Sequence, residues 1–385
     1  MLRRLADLRQ EDFEALEAFR QDQFLREALG LPWVPGSVWL RQQLEAHAAV
    51  IRDYTDDWSV RLIRRRGAPV TTDDGYVCLD FDTFVMDNSG TQKDGVGRTY
   101  PGVDGYTPIA AYLGNEGWCL GLELRPGVQH SALETHYFVE RVLPRVAALT
   151  PGQAVLARSD SGFDSARRLF QQEDERLAWA AQGRIFDYLV KWNPRRQDLT
   201  TWAARAVALL DLTVERAWGK DRRPFRLVVR LTERTIDKHG QHLLLPVYQL
   251  EGWWTSLREA PELVIRRYQR HGTHEQFHSE IKTDLDLERV PSGKCDCNDL
   301  ILHLGMLAYN CLRLLGQLGL TGAFSPVRHP AKRRRLKTVL QEIRYRAAQF
   351  IRKARQRWLD FGRTGAIAAV FAALQEELLA AGQSP

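Results

Sequence analysis

Apolar positions along the first 70 residues recur at helical spacing. They do so in EDFEALEAFRQDQFLREAL (Glu11–Leu29) and again in VWLRQQLEAHAAVIRDY (Val38–Tyr54), with GLPWVPGS as the breaker between them. The period then changes. GYVCLDFDTFVM alternates and is rich in β-formers, which predicts a strand. DGYTPIAAYLG and WCLGLELRPG predict two more, joined by a hairpin turn at Gly114-Asn115-Glu116-Gly117. SALETHYFVERVLPRV reads as a helix opened by a Ser cap, QAVLARSDSG as a strand, and FDSARRLFQQEDE as a helix. The order is therefore β-β-β-α-β-α, an α/β pattern.

Residues 175–255 are richer in strands, with FDYLVKW, FRLVVRLTERT and HLLLPVYQLEGWW separated by polar and basic turns. From Ser256 the chain is helical again through LREAPELVIRRYQRHGTHEQFHSEIKTDL, and NDLILHLGMLAYNCLRLLGQLG is apolar enough to be largely buried. Five regions result: a helical 1–70, a first α/β half at 71–174, a β-rich insertion at 175–255, closing helices at 256–325 and a basic tail at 326–385.

The chain has 385 residues, 44% hydrophobic and 26% charged, which fits an ordinary globular protein of more than one domain. It contains no apolar run of 18 residues, and MLRRLADLRQEDF lacks the apolar core of a secretory signal. Five scattered cysteines fit a reducing cytosol, and Cys295-x-Cys297 is too tight for a paired zinc knuckle. Charge is unevenly placed. Arg328–Arg363 holds thirteen Lys or Arg against two acids, +11 within a chain of +6, so the remainder is at −5. Tyr345, Phe350 and Trp358 lie among these basic residues, a pattern that points to nucleic acid, with Arg333, Arg334 and Arg335 as its densest part.

Candidate chemistry begins with acids. Asp80 and Asp82, two apart on one strand, share a face, and Thr83 follows. Asp160 comes directly after the apolar AVLA strand, where open α/β sheets place their chemistry, although an Asp there also serves as a turn cap. On an uninterrupted α-helix Tyr268, Glu275 and Lys282 form one stripe, flanked by His271 and His278. Three carboxylates, Asp82, Asp160 and Glu275, suit a pair of Mg²⁺ or Mn²⁺ ions about 4 Å apart that serve phosphodiester chemistry. Lys282 could then hold a phosphate. Lys93, Arg98 and Arg158 are further candidate phosphate contacts. Trp253-Trp254 are candidates for core packing or for stacking on an unpaired base. The same stretch also reads as H-E-x-x-H, with His274 and His278 as zinc ligands, Glu275 as base, and His303 or Asp299 as third ligand. That protease reading leaves Asp82, Asp160 and the basic tail without a role.

LDFDTFVMDNSGTQKDG, LARSDSGFDS, YLVKWN and YQRHGTHEQFHSEIKTDLDLERVPSG together resemble bacterial insertion-sequence transposases of the DDE type, over roughly residues 10–365. The last stretch follows that family's Tyr-x2-Arg-x3-Glu-x6-Lys signature, except that His271 stands at the Arg position and Arg270 one residue earlier. The resemblance implies an RNase H-like core, a mixed sheet flanked by helices and interrupted by the β-rich insertion. It implies Asp82, Asp160 and Glu275 as metal-binding triad, Thr83, Arg158 and His278 in support, and Tyr268, Arg270, His271, Lys282 and Trp254 on DNA. It further implies cleavage at the element's terminal inverted repeats, strand transfer into target DNA, a homodimer on DNA, and a bacterial cytoplasmic protein found on the nucleoid. Relatives carry more helical sequence ahead of this start, so a truncated remnant that only binds DNA is the alternative.

Overall fold

The computed structural model describes residues 13–195, 197–203, 208–236, 240–321, 333–346, 348–353, 356–362 and 366–380. A 29-residue helix α1 (Ser37–Arg65) leads into the first strand. The main sheet contains β1 (Tyr76–Thr83), β2 (Ile109–Leu113), β3 (Trp118–Glu123), β4 (Ala154–Ser159) and β5 (Phe186–Lys191). It continues through β6 (Leu209–Trp218), β7 (Asp221–Ile236) and β8 (His242–Thr255). Its spatial order is β3-β2-β1-β4-β5-β8-β7-β6. β1 runs antiparallel to β2 and parallel to β4, and β4 is parallel to β5. Residues 175–255, read from sequence as an inserted block, thus contribute β5 beside β4, while β6–β8 extend the same sheet by antiparallel pairing of β8 on β5.

The alternation in β1 sorts its side chains by face. Val77, Leu79 and Phe81 enter the main core with Phe138, Val142 and Val146 of α2 (Thr135–Leu149) and Leu169 and Phe170 of α3 (Ala166–Ala181). Asp80 and Asp82 face the other side. That side is covered by α4 (Pro261–Gln269), α5 (His274–Ser279) and α6 (Cys295–Gly319). Gly117, in the β2–β3 turn with φ +72°, makes the close approach of α5 feasible, because a Cβ there would lie 2.3 Å from the Phe277 ring. α6 is tied to α1 by polar groups: His303 Nδ1 meets Asp56 at 2.5 Å and Asn310 Nδ2 donates to Ser59 at 2.6 Å.

Two sequence-based boundaries shift. DGYTPIAAYLG breaks at Thr107-Pro108: Asp104–Tyr106 joins a small three-stranded sheet, and only Ile109–Leu113 enters the main one. The helix expected from Ser131 begins at Thr135, since the Ser131 carbonyl accepts from the Thr135 hydroxyl and its Oγ lies 2.8 Å from Thr83 Oγ1. No described helix is long and apolar enough to cross a membrane.

Candidate active site

Register builds the first half of the site. Asp80 pairs across the parallel ladder with Arg158, and Phe81 with Ser159, so Asp160 emerges one residue past β4, level with Asp82. Asp82 Oδ1 accepts from the Thr83 amide at 2.8 Å. Asp160 caps the short turn Ser161–Phe163, accepting from the Gly162 amide at 3.0 Å.

The phase of α4–α5 builds the second half, and it departs from the uninterrupted helix assumed in the sequence. After α4 comes a 3₁₀ turn, Arg270–Thr273, then α5, then a π turn, Glu280–Asp284. A 3₁₀ residue advances roughly 120° instead of 100°, so four of them add roughly 80°. That is close to the step between neighbours. His274 therefore takes the inward position that a continuous helix would give to Glu275, and His271, His274 and His278 share the sheet-facing side. All three are buried, while Glu275 is exposed on the outer side of α5.

Two clusters form on adjacent steps of β1. Arg158 grips Asp80 in bidentate fashion, Nε to Oδ1 at 2.6 Å and Nη2 to Oδ2 at 2.8 Å, and His271 Nδ1 adds a contact at 2.8 Å. Burial opposes the Asp80 charge, but the Arg158 guanidinium outweighs it and holds the carboxyl well below the usual range. Asp82 Oδ2 instead receives His274 Nε2 at 2.6 Å and His278 Nε2 at 3.1 Å. Burial opposes its charge too, and the two imidazole hydrogen bonds outweigh that and keep it ionised. Burial would depress His274, yet Asp82 raises it to about 9, whereas in His278 burial wins and the shift is downward. Asp160, without an ion-pair partner among the described residues, is pushed up to about 6 by burial and by the Asp82 charge.

The family model for the transposase DDE domain, group 1, matches residues 10–383. The chain belongs to the DDE transposase family. A search of the curated proteins finds no match. Among solved structures, a cryo-EM structure of the piggyBac transposase synaptic complex with hairpin DNA matches at TM-score 0.35 and 12% identity, over 63% of this chain and 47% of that one. The chain spans about half the length of that one.

DDE transposases use divalent metal ions, and this donor set fits one. Carboxylate and imidazole atoms of Asp82, His274 and His278 lie within 4.8 Å of one another. Their outer nitrogens are already engaged: His274 Nδ1 with the His271 carbonyl, His278 Nδ1 with the Tyr112 hydroxyl at 3.1 Å. His271 Nε2 is buried beside them with no hydrogen-bond partner. The sequence reading gave His274 no metal-ligand role in the transposase site; its signal was the i, i+4 spacing of H-E-x-x-H, which places two imidazoles on one helix face. The downstream zinc ligands of that motif are committed elsewhere, His303 to Asp56, and Asp299 to Arg52 and the Leu124 amide.

Other candidates are placed as follows. Tyr268 lies beside the cluster, its hydroxyl pushed up by burial and then by the charges of Asp160, Asp82 and Asp80. Arg158, expected near DNA, is instead buried against Asp80 and the Arg267 carbonyl. Arg270 turns away, pairing with Asp73 and with Asp74 at 2.8 Å. Lys282 meets Glu288 at 2.8 Å. Trp254 is 1% exposed and donates its indole N–H to Asp164 at 3.1 Å, so in this fold it packs and offers no face to a base. Trp253 is equally buried. Lys93 bonds Asn88 and the Val290 carbonyl, and Arg98 meets Asp104 at 3.3 Å.

Arg333–Arg335, read as DNA contacts, fold back onto α5, the turn that follows it and the end of α6. Arg333 donates to Gln276 at 2.5 Å and covers the Phe277 ring, Arg334 donates to the Leu320 carbonyl, and Arg335 pairs with Asp284 at 2.9 Å. The reason is Glu280 and Asp284: acids at the helix end need cations, and Glu280 is fully buried among Arg313, Tyr309 and Arg333. Arg328, Lys332, Arg355 and Arg363 of the basic stretch lie outside the described residues.

Proposed function

We propose that this chain cleaves DNA strands at the ends of its element and transfers them to target DNA, with Asp82 and Asp160 at the reacting phosphate. The observation that carries this is the convergence of two carboxylates from the ends of parallel neighbours β1 and β4, one ionised and one proton-hungry, on the imidazoles of α5. The order β3-β2-β1-β4-β5, with β1 antiparallel to β2 and parallel to β4, supports an RNase H-like core extended by β6–β8.

A divalent ion held by Asp82, His274 and His278 would supply Lewis-acid activation of water and stabilise the departing oxygen. Asp160, with its raised affinity for a proton, is suited to take one from the attacking water or 3′-OH. Tyr268, half-buried beside both acids, would orient the DNA end, and Lys282 would contact it further along the helix. We assign Glu275, one residue from His274 but turned outward, to the rim where DNA enters. Two ends must be joined, so a dimer on DNA is the working assembly.

The test is Mg²⁺- or Mn²⁺-dependent nicking of a labelled duplex carrying the element's own end. Loss in folded Asp82→Asn and Asp160→Asn supports the reading, and retained nicking in either would overturn it. Full activity in Glu275→Gln would remove that residue from the site.

A further inference from the structure

The family uses divalent ions, but nothing in the chain's family membership specifies which. We propose that the Asp82–His274–His278 cluster is a two-imidazole, one-carboxylate site that takes a first-row transition ion, Zn²⁺ or Co²⁺ most tightly and Mn²⁺ less so, ahead of Mg²⁺. This deepens the functional reading above and rests on it only in taking this cluster as the metal site.

Four observations carry it. The ligand atoms lie within 4.8 Å of one another, and both imidazoles present Nε2 to the same oxygen, Asp82 Oδ2. The outer nitrogens have the partners that metal-bound histidines need. A backbone carbonyl accepts from Nδ1 of His274, which leaves its Nε2 as the inward lone pair in the neutral ring. A Tyr hydroxyl, able to donate or accept, sits on Nδ1 of His278, so that ring can present a lone pair inward as well.

The third observation is the surroundings. The Phe84 ring lies 4.4 Å from the His278 ring and Tyr112 is 1% exposed, so the imidazoles are anchored in apolar packing and cannot easily swing aside. The fourth is what is lacking. A hard Mg²⁺ site requires oxygens and retained water. Here Glu275, the third acid of the family signature, is exposed and outside the cluster, and its inward place is taken by His274. Imidazole donors favour later first-row ions.

The experiment uses the whole chain, stripped of metal by chelation and titrated with Mn²⁺ under pulsed EPR, with Mg²⁺ as competitor. One Mn²⁺ per chain should bind, with nitrogen coupling from imidazole, and about tenfold or more Mg²⁺ should be needed to displace it. His278→Gln should lose part of the nitrogen coupling, and Tyr112→Phe should weaken Mn²⁺ binding roughly tenfold by removing the outer partner. The wild-type spectrum alone decides the matter if a variant fails to fold. Mn²⁺ bound without nitrogen coupling, or displaced by Mg²⁺ at equal concentration, would sink the proposal while leaving Asp82 and Asp160 as a carboxylate site. Nitrogen-coupled Mn²⁺ in a chain that never nicks DNA would uphold this site and remove the functional reading instead.

Discussion

Asp80 and Asp82 sit two residues apart on one strand, face the same way and are both deeply enclosed, yet their surroundings make them different chemical objects. Asp80 is closed by the fork of Arg158, a cation that cannot lose its proton in a protein, and by His271. No coordination position is left, and exchange would strand a buried guanidinium. Asp82 is closed by the Thr83 amide and by imidazoles, which can give up a proton and present a lone pair. Asp160 adds a neighbouring negative group there, and Arg158 is spent on the other acid. A permanent cation makes a carboxylate structural, whereas a replaceable one leaves it free for catalysis.

The sharpest way to break that contrast is Asp82→Asn. If metal-assisted charge stabilisation contributes several kcal/mol, nicking should fall on the order of 10³-fold, with a smaller stability loss than an Asp80 variant shows. A stability loss matching that of an Asp80 variant would erase the distinction. Asp80→Ala should show the opposite profile. Stranding Arg158 should cost about 3–5 kcal/mol in urea unfolding, and Asp80→Leu combined with Arg158→Met should recover much of it.

Asp160→Asn should be inactive but more stable at pH 7, by roughly 1–3 kcal/mol. The sign follows from its folded value of about 6 against 3.8 unfolded: stability is fully present below about 4 and lost as pH rises through 6. The gain should therefore vanish near pH 4, and a variant equally stabilised at both pH values would contradict the assignment. The smallest effect belongs to His274. Raised from 6.5 to about 9, it contributes stability that is complete below 6.5 and lost as pH climbs through 9. Metal-free wild type should lose about 2 kcal/mol more than His274→Gln between pH 7 and 10.

Much of the framework was legible. Alternation marked β1, and the acids at the ends of β1 and β4 followed from strand direction alone. The helix carrying Glu275 was legible as helix but not in phase, because the 3₁₀ turn at Arg270–Thr273 has no marker in a 3.6-residue pattern, and four overwound residues replace one inward side chain with its neighbour. Arg333–Arg335 looked like a DNA-facing run since charge density is visible locally. Their partners Gln276, Glu280 and Asp284 lie more than 45 residues earlier and are not. Trp254 looked available for stacking at the end of a strand, and its burial depends on Asp164 and Arg216 from distant elements.

By itself the sequence determined which chemical groups exist and which local period carries them: two acids on one strand face, an acid past another strand, two imidazoles one helical turn apart. The tertiary structure decided which acid becomes inert and which becomes a site. Parallel register put Arg158 opposite Asp80 and left Asp82 one step beyond its reach, and the overwound turn brought His274 to Asp82 in place of Glu275. Both choices depend on shifts of one residue between segments far apart in the chain. Such shifts are fixed by packing of the whole sheet and its covering helices, and local periodicity carries no record of them.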